Sequence, residues 1–231
     1  MNGTVEDFQT GDSVEELKVE IFQRNEVAGV PDFTGETDIN GVVSTAMPTC
    51  APFTYQVQDP NPAADQTRRT IQAHNVLAYA TTSTVNFGLN SVSSSTYALI
   101  PAIFGVNPAP GLGIVAGRTY DCDEDNLEGM QVVVKTSEGQ IPAGMLSGYF
   151  VDEFPSKEQL ETSADGLWLL MDVPPGMMTV EGYVYNGSSY DLVATTEIEV
   201  LADSINIASL YAGLSDGVKY PSTCLEEACA R

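Results

Sequence analysis

Histidine occurs once in this chain of 231 residues, at position 74, and that scarcity narrows the available chemistry. A nucleophile activated by an imidazole would have to use His74, yet no G-x-S-x-G elbow is present and the run HNVLAYA reads as the entry to a strand. The H-E-x-x-H signature and the phosphate-binding glycine loops are missing as well. Basic residues are also few, with 9 Lys and Arg against 32 Asp and Glu, a net charge of −23. Proteins that grip nucleic acid neutralise phosphates with clustered cations, and here the only adjacent basic pair is Arg68 and Arg69. DNA, RNA and anionic lipid are therefore poor partners. The acidic balance suits solubility, divalent cations or a salty medium instead.

Long apolar runs are lacking too. A membrane span needs roughly 18 apolar residues, and the longest stretches, near Ala98 to Val106, fall short. The opening text MNGTVEDFQTGDSVEE is acidic and polar, unlike an export signal, so a secreted form would carry its signal upstream of this sequence. Cysteine is sparse: Cys50, Cys122, Cys224 and Cys229 show no C-x-x-C spacing, which argues against zinc and for disulfides in an oxidising compartment. A local Cys224–Cys229 loop is the preferred pairing, leaving Cys50 and Cys122 either free or joined across domains.

What remains is ample material for packed β structure, with 43% hydrophobic and 18% charged residues and a length that suits two domains. Residues 1–13 read as a flexible lead-in. VEELKVEIF alternates from Val14, with Leu17, Val19 and Ile21 on one face; the turn in TDINGVVS and the run FTYQV at 53–57 follow. Residues 59–69 read as a loop. Residues 90–106 change to helical spacing at Val92, Thr96, Leu99, Ile100, Ile103 and Phe104, with serines as caps and Pro101 as a kink or first-turn residue. NPAPGLG then makes a linker and places a boundary near residue 110. The second half alternates strand and turn to its end: GIVAGRTY, LEGMQVVV, GYFVDEF at an edge, TSADGLWLLMDV with Trp168 in the core, MTVEGYVY, ATTEIEVL and SINIASLY. The fold class is all-β, two sandwiches in tandem over 1–110 and 111–218 with one short helix near the end of the first, and a tail at 219–231.

The halves repeat one another in order. VEELKVEIF matches LEGMQVVVK, TDINGVVS matches TSADGLWL, and MPTCAPF matches VPPGMMT. The acidic turn between GIVAGRTY and LEGMQVVV has no match in this alignment. Five carboxylates fall between Asp121 and Glu128, so the turn is either a solvated hairpin tip or a cation site. Asp121, Asp123 and Asp125 occupy the first, third and fifth places of a Ca²⁺ loop, but Asn126 stands where that loop wants Gly and Val132 where it wants Glu, so Glu128 would have to complete the set.

Residues 113–211 resemble the carboxypeptidase regulatory-like domains, which are transthyretin-like or Ig-like sandwiches, through GRTY, LEGMQVVV, TSADG, VPPG before MTVEGYV, and EIEVLADSINIASL. Residues 14–57 resemble them less closely. The phrase STYALIPAIFGVNPAPGLGIVAGRTYDCD is also similar to secreted or lipid-anchored proteins of predatory and soil bacteria. The resemblance implies a fold and an extracytoplasmic location rather than a reaction. The expected function is a non-catalytic surface, adhesive or spacer protein, stabilised by Ca²⁺ if the acidic turn binds it, with protein or polysaccharide partners at the cell surface. The alternative is a carbohydrate- or ligand-binding module built on Tyr183, Tyr185, Tyr190 and Tyr211.

Overall fold

Alternating apolar and polar residues at short intervals give strands along most of the chain, in a computed structural model that describes residues 1–23, 27, 29–48, 50–60, 67–77, 86–214 and 217–219. Two compact units result, one over Met1–Tyr97 and Val218–Arg231, the other over Ala98–Gly217.

The first unit contains β1 (Asn2–Asp7), β2 (Lys18–Phe22), β3 (Phe33–Glu36), β4 (Val42–Ser44), β5 (Pro52–Gln58), β6 (Arg68–Arg69), β7 (Ile71–Leu77) and β8 (Asn86–Ser93). One of its sheets runs β4-β1-β8-β6, with β1 antiparallel to β4 and parallel to β8. The other runs β3-β2-β5-β7, antiparallel throughout. Val5, Val19, Ile21, Phe53, Ile71 and Leu89 are buried between them. Phe53 meets Phe87 edge to face at 6.0 Å, and the Asn90 N–H donates to the Tyr55 hydroxyl at 3.2 Å, so the two sheets are stitched by both packing and a hydrogen bond.

The expected lead-in at residues 1–13 is thus a central strand. NGTVED carries one aliphatic side chain, Val5, and hides its role because its other buried positions are Gly3 and the polar Asp7. A Cβ at Gly3 would lie 2.8 Å from Leu89 Cδ1, so glycine leaves room for the Leu89 side chain as it packs. Arg68 and Arg69, read as part of a loop, form the short edge strand β6.

Ser93 caps the helix α1 (Ser94–Ile103), its hydroxyl accepting from the Thr96 N–H at 3.1 Å. Pro101 sits in the last turn, where little of the helix remains to be broken, and Gly105 follows with φ +80°. The expected apolar face is displaced: Thr96 and Tyr97 are buried, while Leu99 and Ile103 are exposed and Val92 belongs to β8. The division between the units falls inside this helix, between Tyr97 and Ala98.

The second unit contains β9 (Gly113–Tyr120), β10 (Met130–Thr136), β11 (Leu146–Val151), β12 (Phe154–Ser156), β13 (Leu167–Val173), β14 (Gly176–Tyr185), β15 (Tyr190–Val200), β16 (Ile205–Ile207) and β17 (Leu210–Tyr211). A three-stranded sheet β10-β14-β15 faces a second sheet in which β12, β11, β13 and β9 pair antiparallel in turn, and β16 and β17 run parallel to β9. Trp168, 1% exposed, joins Met130, Val132, Val134, Leu170, Val180 and Ile198 in the core. As at Gly3, a Cβ on Gly117 would collide, here at 1.8 Å from the Ala208 carbonyl oxygen.

The two units share one hydrogen-bonded frame. In the first, Thr37 Oγ1 accepts from the Leu17 N–H at 2.9 Å and donates to the Val14 carbonyl at 2.9 Å, while the Thr37 N–H reaches the Leu17 carbonyl and the Glu16 N–H reaches the Thr37 carbonyl. In the second, Thr162 makes the same four bonds to Met130, Leu127 and Gly129. Glu16 and Gly129 both have positive φ, at 60° and 80°. Gly41 and Gly166 close the same turn, donating to the carbonyls of Asp38 and Ser163. The ordered match of VEELKVEIF to LEGMQVVVK and of TDINGVVS to TSADGLWL therefore describes real structural equivalence.

Between these fixed points the units differ. The first pairs β3 with β2, whereas the second pairs β11 with β13 and so leaves β10 without an equivalent of β3. The Tyr149 hydroxyl of β11 fills part of that gap by accepting from the buried Val132 N–H at 3.0 Å. Burial pushes the Tyr149 phenol above its ordinary value of 10.0, so it stays protonated.

Replacing Thr162 by Val keeps the shape and removes the hydroxyl, stranding the Met130 N–H in the core, and should destabilise the second unit by about 1–3 kcal/mol. Thr37→Val should do the same to the first. Hydrogen exchange at the β10 and β2 amides reads the two units separately, and protection unchanged in both variants would show the frame to be dispensable.

Candidate functional site

The acidic turn after β9 is built by Asp121. Its N–H donates to the Asp125 carbonyl at 2.9 Å, and its Oδ1 accepts from the N–H groups of Asp123 at 2.9 Å and Asp125 at 3.0 Å. Glu124 takes the strained corner at φ +69°. Asp123, Asp125 and Glu128 are exposed. Among the described residues no three His, Cys, Asp or Glu side chains are gathered as a metal ion requires. Of the four candidate ligands, then, Asp121 is engaged with backbone and the other three face water.

A comparable aspartate-capped turn, one residue longer, occurs in the first unit. The Asp7 N–H donates to the Asp12 carbonyl at 2.8 Å, and Asp7 Oδ1 accepts from Gln9 at 2.9 Å and Thr10 at 3.1 Å, with Gly11 at φ +74°. The aspartate-capped turn thus belongs to the shared frame, and only the extra carboxylates are peculiar to the second copy. The copies differ in how the capping acid is compensated. Arg68 donates to Asp7 Oδ2 at 2.7 Å and to Ser91 Oγ at 2.7 Å. Burial alone would raise the Asp7 carboxyl, but the Arg68 hydrogen bond and the Thr10 and Gln9 N–H groups outweigh it and hold the group below 3.8.

Of the cysteines, Cys50 is disulfide-bonded. Cys122 lies exposed in the acidic turn, its thiol donating to the Ala212 carbonyl at 3.6 Å, so the expectation that Cys50 and Cys122 share one fate is not met. The expected Cys224–Cys229 loop lies outside the described residues.

His74 is buried in β7, 4% exposed, rather than at a surface or strand edge. It joins a row of amides on the face of the β2-β5-β7 strands opposite the core. The Gln58 amide donates to Glu20 Oε2 at 2.6 Å and to Gln56 Oε1 at 2.7 Å, and Gln56 donates to Gln72 Oε1 at 2.7 Å. The Gln72 amide nitrogen lies 2.7 Å from His74 Nε2, and His74 Nδ1 lies 3.4 Å from Thr54 Oγ1. Lys18 pairs with Glu20 at 2.6 Å at the far end. Thr54, Gln56, Gln72 and His74 are all buried, so this imidazole serves a structural network and does not open on solvent.

The outer face of β10-β14-β15 carries the other polar cluster. Lys135 Nζ lies 2.6 Å from Glu181 and donates to the Tyr183 hydroxyl at 2.9 Å, and that hydroxyl donates to Glu181. Glu181 is held below its ordinary 4.5, burial being outweighed by Lys135 and Tyr183, while hydrogen bonds from Glu181 and Tyr183 push Lys135 upward. Both groups stay charged at neutral pH, and neither is poised to exchange a proton. Tyr185 and Tyr190 are exposed beside them, whereas Tyr211 is stacked on Tyr120 at 5.0 Å. Burial and the neighbouring Tyr120 and Glu124 raise the Tyr211 phenol to about 12. The four tyrosines named as one candidate surface therefore divide, and only Tyr185 and Tyr190 present rings to water.

No protein-family model matches the chain, and no curated protein matches it. Solved structures align over most of its length. Shaft pilin SpaA of Lactobacillus rhamnosus GG is 13% identical, with 91% of this chain and 96% of that chain covered and a TM-score of 0.28. The minor pilin GBS52 of Streptococcus agalactiae is 10% identical, with 96% and 99% covered and a TM-score of 0.31. The TIE protein of Bacillus anthracis is 13% identical at a TM-score of 0.27, and this chain spans 32% of it. Superpositions this loose carry no functional inference.

Because the folded Asp7 carboxyl is depressed, its contribution is complete above pH 3.8 and is lost as the pH falls below that value. Arg68→Met should therefore weaken the first unit at neutral pH, and its deficit relative to the parent should narrow below pH 3.8; a pH-independent deficit in urea melts would contradict the assignment. Asp121→Ala should cost about 0.5–2 kcal/mol with calcium absent, the range of a lost side-chain cap. Saturating Ca²⁺ should raise the melting temperature of the parent no more than matched ionic strength does. A larger rise, abolished in Asp121→Ala, would restore the calcium reading.

Proposed function

We propose that the chain is a non-catalytic module of the extracytoplasmic surface, in which two sandwiches act as a spacer or adhesive element. The observation that carries this reading is that the polar side chains best suited to chemistry are held in structural contacts around a duplicated, threonine-clamped frame. Asp7 and Asp121 cap turns, Arg68 compensates Asp7, and His74 joins a buried amide row. Glu181 and Lys135 neutralise one another. Among the described residues no helix is long and apolar enough to cross a membrane. The Cys50 disulfide supports an oxidising compartment. The resemblance of residues 113–211 to carboxypeptidase regulatory-like domains fits the same role, since such sandwiches serve mainly as accessory modules.

Protease treatment of intact producing cells provides the test. The chain should be removed from them, and thiol labelling after denaturation should find Cys50 protected. Protection of the whole chain inside the cell, with Cys50 fully labelled, would overturn the assignment.

A further inference from the structure

One end of the β10-β14-β15 sheet carries an aromatic surface that the frame does not use. Tyr185 and Tyr190 form the last cross-strand pair of the β14–β15 hairpin, 53% and 47% exposed, with ring centroids 5.3 Å apart and planes inclined by 50°. The remaining described tyrosines are buried or half-buried. Leu192, 50% exposed, extends the surface by one position along β15, opposite Tyr183.

The surface is held in shape before any ligand arrives. Gln131 reaches from β10 to donate to the Tyr190 hydroxyl at 3.0 Å. In the turn, Asn186 Oδ1 accepts from the N–H groups of Ser188 at 2.9 Å and Ser189 at 3.0 Å, and its Nδ2 donates to Asp191 Oδ2 at 2.7 Å. Fixed rings lose little freedom on binding, which favours recognition by a small surface.

The chemistry selects the ligand. Two tilted rings and a leucine, rimmed by amide and hydroxyl groups, complement a molecule with C–H faces and hydroxyl edges, as a pyranose has. A net charge of −23 disfavours acidic sugars, and the nearby cation Lys135 is already engaged by Glu181. We propose that the second unit binds a neutral polysaccharide by stacking its sugar rings on Tyr185 and Tyr190.

The test titrates the full chain calorimetrically with cellohexaose, laminarihexaose, mannohexaose and xylohexaose, with hexagalacturonate as the acidic comparison. At least one neutral hexamer should bind, and Tyr185→Ala and Tyr190→Ala should each weaken it about tenfold or more, the loss of one stacking contact. Tyr190→Phe, which keeps the ring, should retain most of the affinity, and unchanged melting temperatures would show that all variants fold. The proposal fails if no neutral hexamer binds at millimolar concentration, if the alanine variants bind as the parent does, or if hexagalacturonate binds equally. It also fails if sedimentation shows that the rings instead hold two copies of the chain together. None of these outcomes depends on where the protein resides, so they separate this site from the surface-module reading.

Discussion

Each sandwich depends on a threonine that ties the chain to the far sheet. Thr37 stands between β3 and β4, which lie in different sheets, and Thr162, just ahead of β13, bonds the start of β10 in the opposite sheet. Strands satisfy their backbone groups through ladder partners, and a crossing segment leaves the ladder while still buried. At Thr37 and Thr162 the hydroxyl both accepts and donates, and the peptide groups of the same residue complete the pairing, so the crossing is sealed without water. Both residues are nearly or fully buried, at 4% and 0% exposure, where an unmet polar group is most costly.

With the crossing fixed, the segment ahead of it is free to differ. The first unit uses that segment to extend the sheet of β2, and the second uses a longer one to extend the sheet of β13. The second solution leaves part of β10 without a strand beside it, and the Tyr149 hydroxyl on the Val132 N–H substitutes for one rung. A single side chain thus allows a strand to change sheets without orphaning the amide it leaves behind.

Much of the fold was legible because burial follows the period of the strands. MTVEGYVY alternates in the sequence, and Met178 and Val180 are buried as that pattern requires. Trp168 lies in the core, as the run LWLLM implies. The strand β1 was not legible, since its buried residues are a glycine, a lone valine and an aspartate, and hydrophobic periodicity has nothing else to register. For the same reason the turn at Asp7 escaped the repeat alignment, and its counterpart at Asp121 looked unique. The site was harder still. Carboxylate spacing in the turn mimics a calcium loop, but what places those residues is hydrogen bonding to the backbone, which spacing does not encode. The division of the tyrosines into buried and exposed depends on the β15 bulge near Val193 and on Gln131 reaching across a strand, both properties of the sheet rather than of the local sequence.

The parallel pairing of each unit's first strand with its last has a consequence for how the chain is made. Asn2 aligns with Asn86, and Thr119 with Leu210, so the first sheet of each sandwich stays incomplete until nearly all of that sandwich has been synthesised. Contacts so distant along the chain carry a large loop-closure cost before they return any stability, which makes closure late and slow. Because Val218, near the end of the chain, is also part of the first unit, that unit is completed only after the second has been synthesised.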